Sequence, residues 1–111
     1  MKPKKILIID DEKDFGLLMK DRFSSAHYEI TVAYTIADGL RYLEKEKPDF
    51  IFLDNNLPDG YGWSVTEYIL SNYPGIKLNL ISGLNPPKTS STSFRILGKP
   101  VSWQEITEII E

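Results

Sequence analysis

The stretch Ile6-Leu7-Ile8-Ile9 runs directly into Asp10 and Asp11, and this stretch decides the fold. All of its positions are apolar, which is typical of a strand in the centre of a parallel sheet with helices on both faces. Phe50-Ile51-Phe52-Leu53 repeats the pattern and ends in Asp54. The two strands predict an α/β protein with acidic groups at the carboxyl edge of its sheet.

Three further apolar runs complete the predicted sheet: Ile30-Thr31-Val32-Ala33, Leu78-Asn79-Leu80-Ile81 and Phe94-Arg95-Ile96-Leu97. Between runs, apolar residues recur at helical spacing, for example Phe15, Leu18, Met19 and Phe23. The last helix carries a capping-box pattern, and Thr35 with Asp38 forms a weaker one before the second helix. The alternation predicts one doubly wound α/β domain over residues 1–111, with a five-stranded parallel sheet.

Residues 83–93 break this rhythm, because two prolines and a Ser/Thr run have the chemistry of a loop where a crossover helix is due. We expect the fourth helix to be short or missing. In the strand before it, Lys77 and Asn79 alternate with apolar residues, so one face of that strand should be partly wet. Exposure at the sheet edge is the alternative explanation for that alternation.

The composition excludes several classes of protein. The chain is 41% apolar and 26% charged, which is ordinary for a globular domain. It has no cysteine for disulfides or thiolate metal sites, which fits a cytoplasmic protein. Its net charge of −3 argues against direct nucleic-acid binding. No apolar run approaches the roughly 18 residues of a membrane span, and we see no signal peptide.

Polar groups from four strands are predicted to meet at the carboxyl edge of the sheet, where open α/β sheets collect ligands. Asp10 and Asp11 follow the first strand, Asp54 the third, Ser82 the fourth and Lys99 the fifth. Acidic residues after strands also form turns and helix caps. That alternative does not explain why a lysine joins them, so we treat these residues as one candidate site.

Carboxylates gathered in one site predict a bound cation. At about 5 Å and an effective dielectric near 20, each pair repels by roughly 3 kcal/mol. Mg²⁺ fits best, because it prefers one or two carboxylates, water and a phosphate oxygen. Zinc would want thiolate or imidazole, and the one histidine, His27, lies far from these strand ends. A carboxylate beside such an ion and a lysine suits attack on phosphorus, which predicts an aspartyl phosphate on Asp54.

Four segments carry a resemblance to a known family. They are Ile8-Ile9-Asp10-Asp11-Glu12, Asp54-Asn55-Asn56-Leu57-Pro58-Asp59-Gly60-Tyr61-Gly62, Leu80-Ile81-Ser82-Gly83 and Gly98-Lys99-Pro100. In this order they resemble the receiver domains of two-component response regulators, from residue 4 to the end. The resemblance implies a flavodoxin-like sheet with strand order 2-1-3-4-5. It also implies a signalling phosphoacceptor that assists its own phosphoryl transfer and dephosphorylation, and is not a turnover enzyme.

The resemblance assigns the metal-binding roles. Asp54 would be the phosphoacceptor and would contact the Mg²⁺. Asp11 would be a direct ligand, and Asp10 would help mainly through ordered water. The backbone carbonyl of Asn56 would complete the ligands that the protein supplies.

The resemblance also assigns the phosphoryl contacts and the partners. Ser82 stands where the family has a Thr or Ser that moves toward the acyl phosphate, and Lys99 would pair with phosphoryl oxygens. The bond between this lysine and Pro100 is usually cis in the family. The donor would be a phosphohistidine on a sensor histidine kinase or a histidine phosphotransfer protein. Homodimerisation stays open, and neither a membrane nor nucleic acid is expected as a direct partner.

Two departures from the family pattern concern its output surface. Receivers normally carry Tyr or Phe three residues before the lysine, where this chain has Ile96, and Phe94 has the wrong offset. The stretch between Ser82 and Lys99 is shorter than usual by more than a helical turn. The sequence therefore predicts intact site chemistry and an altered readout.

Three other functions stay open. A receiver-like interaction module that phosphorylation does not control would fit Ile96 and the short crossover. A small magnesium phosphatase would need an Asp-x-Asp motif after the first strand, and the chain has Asp10-Asp11-Glu12-Lys13. A flavodoxin relative would need a Ser/Thr-rich phosphate loop there, which is also missing.

Overall fold

The computed structural model describes residues 2–25, 27–83 and 94–111 of the chain. The strands in chain order are β1 (Lys4–Ile9), β2 (Tyr28–Ala33), β3 (Phe50–Asp54), β4 (Asn56–Leu57), β5 (Gly60–Tyr61), β6 (Lys77–Ser82) and β7 (Phe94–Gly98). The helices are α1 (Lys13–Phe23), α2 (Ile36–Lys45), α3 (Thr66–Asn72) and α4 (Trp103–Ile110), and a 3₁₀ turn covers Gly62–Val65.

The long strands form one parallel sheet in the order β2-β1-β3-β6-β7. Strands β4 and β5 pair with each other as a short antiparallel hairpin between β3 and β6. Counted without that hairpin, the order is 2-1-3-4-5. The predicted α/β, doubly wound, flavodoxin-like sheet is therefore confirmed.

Helices cover both faces of the sheet, as the wholly apolar central strands require. In β1, Leu7 and Ile9 pack into one core with α2 and α3, while Ile6 and Ile8 pack into a second core with α1 and α4. All four of these side chains are at most 1% exposed. The even and odd positions of one strand thus supply two separate cores.

Side-chain caps begin two of the helices. The hydroxyl of Ser102 accepts the Glu105 amide at 3.1 Å at the start of α4. The hydroxyl of Thr35 accepts the Asp38 amide at 3.1 Å at the start of α2. Both predicted capping patterns are confirmed.

The expectation of a wet face on β6 was wrong. Asn79 is only 3% exposed, and its Nδ2 donates a 3.2 Å hydrogen bond to the backbone oxygen of Ile51. Lys77, the first residue of the strand, is exposed. A buried amide that has a hydrogen-bond partner is compatible with a core. The alternation of polar and apolar residues along β6 therefore did not indicate an exposed face.

The predicted short or missing helix between β6 and β7 falls on residues 84–93, outside the described residues. In the ranges that the structure describes, no helix is both long and apolar enough to cross a bilayer.

Candidate functional site

The predicted site residues all lie at or just after the carboxyl ends of parallel strands. Asp10 and Asp11 follow β1, Asp54 ends β3, Ser82 ends β6 and Lys99 follows β7. The pairing register of the parallel strands brings the ends of neighbouring strands side by side. Ser82, for example, is paired with Gly98, the residue before Lys99. The sheet therefore brings these residues to one edge, as expected.

Three carboxylates meet at this edge. One oxygen from each of Asp10, Asp11 and Asp54 lies within 4.8 Å of the other two. Asp10 is 0% exposed and Asp54 is 3% exposed, whereas Asp11 is exposed. The cluster thus has a buried floor and an open side, from which a ligand could reach Asp54.

Asp10 is the most constrained of the three carboxylates. Its Oδ1 accepts the backbone amide of Glu12 at 2.9 Å. Its Oδ2 is buried, and none of the described residues provides it with a hydrogen bond. Burial raises the pKa of Asp10 to about 6, and the nearby charge of Asp54 acts in the same direction. An unsatisfied buried carboxylate oxygen at this place fits a site that holds a cation.

Lys99 supplies the positive charge of the site. Its Nζ lies 3.1 Å from Asp54 Oδ1, 3.3 Å from Glu12 Oε1 and 3.8 Å from Asp10 Oδ2. Burial alone would lower the pKa of this lysine, but the three carboxylates outweigh burial and raise it. For the carboxyl group of Asp54, burial acts in the opposite direction and raises the pKa, and Lys99 opposes that rise. The lysine therefore stays charged beside the predicted phosphoacceptor.

Backbone contacts hold Lys99 in place. Its amide donates to the backbone oxygen of Ser82 at 2.8 Å, which ties the end of β7 to the end of β6. The bond between Lys99 and Pro100 is cis, as the resemblance implies. Ser82 itself is buried, with 9% exposure.

The segment after Asp54 is fixed by Asn55. The backbone oxygen of Asn55 accepts the Gly62 amide at 2.8 Å, and its side-chain oxygen accepts the Trp63 amide at 3.1 Å. A side chain at Gly62 would collide with the backbone oxygen of Asp54. Asn56 opens the β4–β5 hairpin two residues after Asp54. Its role as a carbonyl ligand stays a prediction.

The sequence analysis assigned no role to Glu12 and did not predict an apolar cleft beside the site. The cleft has a volume of about 580 Å³, and its walls include Phe15, Leu18 and Trp103 next to Asp10 and Lys99. The rings of Phe15 and Trp103 are stacked with centroids 6.4 Å apart. The i, i+3 spacing of Phe15 and Leu18 indicated a shared helix face, but nothing local indicated what α1 would face at its N-terminal end.

The residues present fit magnesium. The site offers carboxylate oxygens from Asp10, Asp11 and Asp54 on one open-sided cluster, and hard oxygen ligands are what Mg²⁺ prefers. The unsatisfied Oδ2 of Asp10 gives a second, independent reason to expect a cation. Among the described residues, no histidine joins the cluster, so a zinc site would lack its preferred ligands.

Fold and site together define an α/β protein with an acidic cluster and one lysine at the carboxyl edge of its parallel sheet. The family model described as "response regulator receiver domain" matches residues 6–111. The chain therefore belongs to the response regulator receiver domain family. It is a signalling module and not a classical turnover enzyme.

One curated relative is the transcriptional regulatory protein GlrR of Escherichia coli (strain K12). The two are 28% identical over 99% of this chain and 26% of GlrR. This chain thus spans about a quarter of the length of such relatives.

Solved structures of receiver domains share the fold. The CheY-like receiver domain from Methanospirillum hungatei has a TM-score of 0.79 at 26% identity, over 97% of this chain and 90% of that one. Another solved structure is a response regulator from Burkholderia pseudomallei, described with a phosphorylated aspartic acid and a calcium ion. Its TM-score is 0.81 at 20% identity, and the match covers 97% of this chain and 66% of that one. The response regulator TrrA in complex with the histidine kinase ThkA has a TM-score of 0.79 at 24% identity, over 96% and 95%.

Proposed function

We propose that this receiver domain accepts a phosphoryl group on Asp54 in a Mg²⁺-dependent reaction. The observation that carries the proposal is the position of Asp54. Its carboxylate lies 3.1 Å from the Lys99 ammonium and within one cluster with Asp10 and Asp11. If the ion pair between Asp54 and Lys99 served only to stabilise the fold, the carboxylates of Asp10 and Asp11 would not be needed at the same edge.

Asp54 is placed to act as the nucleophile. A carboxylate oxygen of Asp54 attacks phosphorus, and an O–P bond forms as the bond from phosphorus to the donor nitrogen or oxygen breaks. The donor departs with the bonding electron pair. Burial raises the pKa of Asp54 and the ammonium of Lys99 opposes that rise, so Lys99 favours the ionised, nucleophilic form of the carboxylate.

The remaining residues manage charge and position. Lys99 pairs with an oxygen of the transferred group, since its Nζ already contacts Asp54. Asp10, Asp11 and the backbone carbonyl of Asn56 would hold the magnesium ion. When bound, Mg²⁺ offsets the negative charge of the carboxylates and of the phosphoryl oxygens. The Ser82 hydroxyl would donate a hydrogen bond to a further phosphoryl oxygen.

We propose a phosphohistidine on a sensor histidine kinase or a histidine phosphotransfer protein as the donor. The complex of TrrA with the kinase ThkA supports this class of partner, because TrrA shares this fold. The Burkholderia pseudomallei protein supports an aspartyl phosphate beside a divalent cation in the same fold. We further propose that residues 1–111 act as one receiver domain in the cytoplasm.

A phosphorylation assay tests the proposal. Wild-type protein is incubated with acetyl phosphate and Mg²⁺, and its intact mass is measured. We expect a phosphoryl adduct that is absent in Asp54→Asn and absent with EDTA. Asp21→Asn, which alters an exposed carboxylate on α1, is the matched control and should keep the adduct.

A second candidate is an interaction module that phosphorylation does not control. Ile96 favours it, because this β7 position packs as a partly buried aliphatic residue against the core shared with α2 and α3. An aromatic side chain that could change its exposure is therefore missing at this position. No adduct with any donor would favour this candidate over phosphorylation.

A further inference from the structure

Glu12 lies on the solvent side of the Lys99 ammonium. Its Oε1 is 3.3 Å from Lys99 Nζ, and its side chain is 62% exposed. The side chains of the other two acids that face this ammonium, Asp10 and Asp54, are both buried. The lysine thus sits between two buried carboxylates and one that can move freely into solvent.

The backbone of Glu12 is held while its side chain is directed to the lysine. Its amide donates to Asp10 Oδ1 at 2.9 Å, so the start of α1 is fixed against the acidic cluster. Glu12 is the N-cap residue of α1, yet within the described chain its side chain makes no capping hydrogen bond. Among the described residues, the Glu12 side chain forms an ion pair with Lys99.

We propose that Glu12 is a positioning residue that competes with the phosphoryl group for Lys99, and so slows phosphorylation of Asp54 by anionic donors. The inference rests on the proposed function. The ammonium of Lys99 must pair with the phosphoryl oxygens when Asp54 is phosphorylated, and the ion pair with Glu12 competes for the same ammonium. Glu12 also lines the cleft beside the site, where its charge repels an approaching anion.

The expected effect is modest, because Glu12 is mostly exposed. Half-exposed ion pairs have small net strength and are weakened by salt. Removing the charge of Glu12 should therefore raise the phosphorylation rate about two- to fivefold at low ionic strength. The gain should shrink as salt is added, whereas a packing effect of the side chain would not respond to salt.

The test compares initial rates of adduct formation with acetyl phosphate at saturating Mg²⁺, for wild type, Glu12→Gln and Asp14→Asn. Asp14 is the matched control, since it is a neighbouring acid that lines the same cleft without a recorded contact to Lys99. We expect faster phosphorylation in Glu12→Gln and a clearly smaller change in Asp14→Asn. Unfolding curves check that each variant folds.

The outcomes separate the two proposals. Wild-type protein that forms no adduct overturns the proposed function, and this inference with it. An adduct that forms at equal rates in wild type and Glu12→Gln overturns only the role of Glu12. Equal gains in Glu12→Gln and Asp14→Asn, or a gain that is independent of salt, would also overturn it, since net charge or packing would then suffice.

Discussion

At the residue scale, Asp10 is a charged group that the fold buries at a cost in free energy. Its side chain is 0% exposed, and its Oδ2 has no hydrogen-bond partner among the described residues, although the Lys99 ammonium lies 3.8 Å away. Burying a carboxylate without a full set of partners costs free energy. The end of β1 nevertheless places Asp10 next to Asp54. This indicates that Asp10 serves the site and does not serve the stability of the fold.

Stability of the metal-free protein should therefore depend on the protonation of Asp10. Burial raises its pKa from 3.8 to about 6. Between these two pH values the folded protein keeps a proton on Asp10 that the unfolded chain releases. The contribution of Asp10 to the free energy of unfolding therefore falls as the pH rises from 3.8 to about 6. Asp10→Asn should remove this fall and raise the free energy of unfolding at pH 7 by about 1–3 kcal/mol.

Urea unfolding in EDTA at several pH values measures this effect. Asp11→Asn changes an exposed carboxylate of the same cluster and should alter stability by less than about 0.5 kcal/mol. An Asp10→Asn protein that is no more stable than wild type at pH 7 would contradict the account of Asp10.

The main site residues could be located from the sequence because each lies at or just after the end of a strand. Asp10, Asp54 and Lys99 inherit their positions from the parallel sheet, so their convergence followed from strand order alone. Glu12 could not be found in this way. The direction of its side chain depends on where α1 begins, and the contact with Lys99 joins residues 87 positions apart.

At the scale of elements, the segment after β3 connects the strand of the proposed phosphoacceptor to α2. Asn55 anchors the start of the 3₁₀ turn through its backbone and side-chain oxygens. Asp59 accepts the amides of Ile36 and Ala37 at 2.9 and 3.0 Å, and so caps α2 from another part of the chain. These hydrogen bonds lower the pKa of Asp59. These hydrogen bonds join the segment that follows Asp54 to the start of α2.

Gly62 is required by this segment. A Cβ there would overlap the backbone oxygen of Asp54, which belongs to β3 and cannot move without disturbing the sheet. Gly62→Ala should lower the free energy of unfolding by more than about 2 kcal/mol, or displace the segment and slow phosphorylation. Chemical denaturation and the adduct assay measure the two effects.

Gly75→Ala is the matched control, because a Cβ at Gly75 would meet nothing within 4 Å. It should change stability by less than about 1 kcal/mol. Equal stability and equal phosphorylation rates in Gly62→Ala and Gly75→Ala would show that the close approach at Gly62 is unimportant.

Elements were predictable where their signal is local. The caps at Ser102 and Thr35 depend on residues three positions apart, and the structure has both. The cap from Asp59 to Ile36 joins residues 23 positions apart, and no local pattern marks it. Asn79 misled the prediction, because polarity in a strand was taken as exposure when a hydrogen bond to Ile51 satisfies the buried amide.

At the scale of the whole molecule, two cores and one functional edge follow from a single sheet. The apolar runs allowed the sheet and its order to be predicted, since both faces of β1 and β3 are buried. The cleft between α1 and the start of α4 was not predictable, because helix packing sets its width. The chain covers 26% of the length of GlrR.

Trp103 should report binding at the site. Its indole lines the same cleft as Asp10 and Lys99, stacks on Phe15 and lies 5.5 Å from the guanidinium carbon of Arg22. We expect Mg²⁺, or beryllofluoride with Mg²⁺, to change its fluorescence emission in a Trp63→Phe background. The signal should be absent in Trp103→Phe. Unchanged emission at saturating Mg²⁺ and beryllofluoride would contradict this prediction.

The most direct test of the central claim is to locate the phosphoryl group. Borohydride reduces an aspartyl phosphate to homoserine, so peptide mapping after phosphorylation and reduction identifies the modified residue. We expect homoserine at position 54 alone, formed with acetyl phosphate and Mg²⁺ and lost with EDTA. Homoserine at another aspartate, or none while Asp54 stays unmodified with every donor, would contradict it.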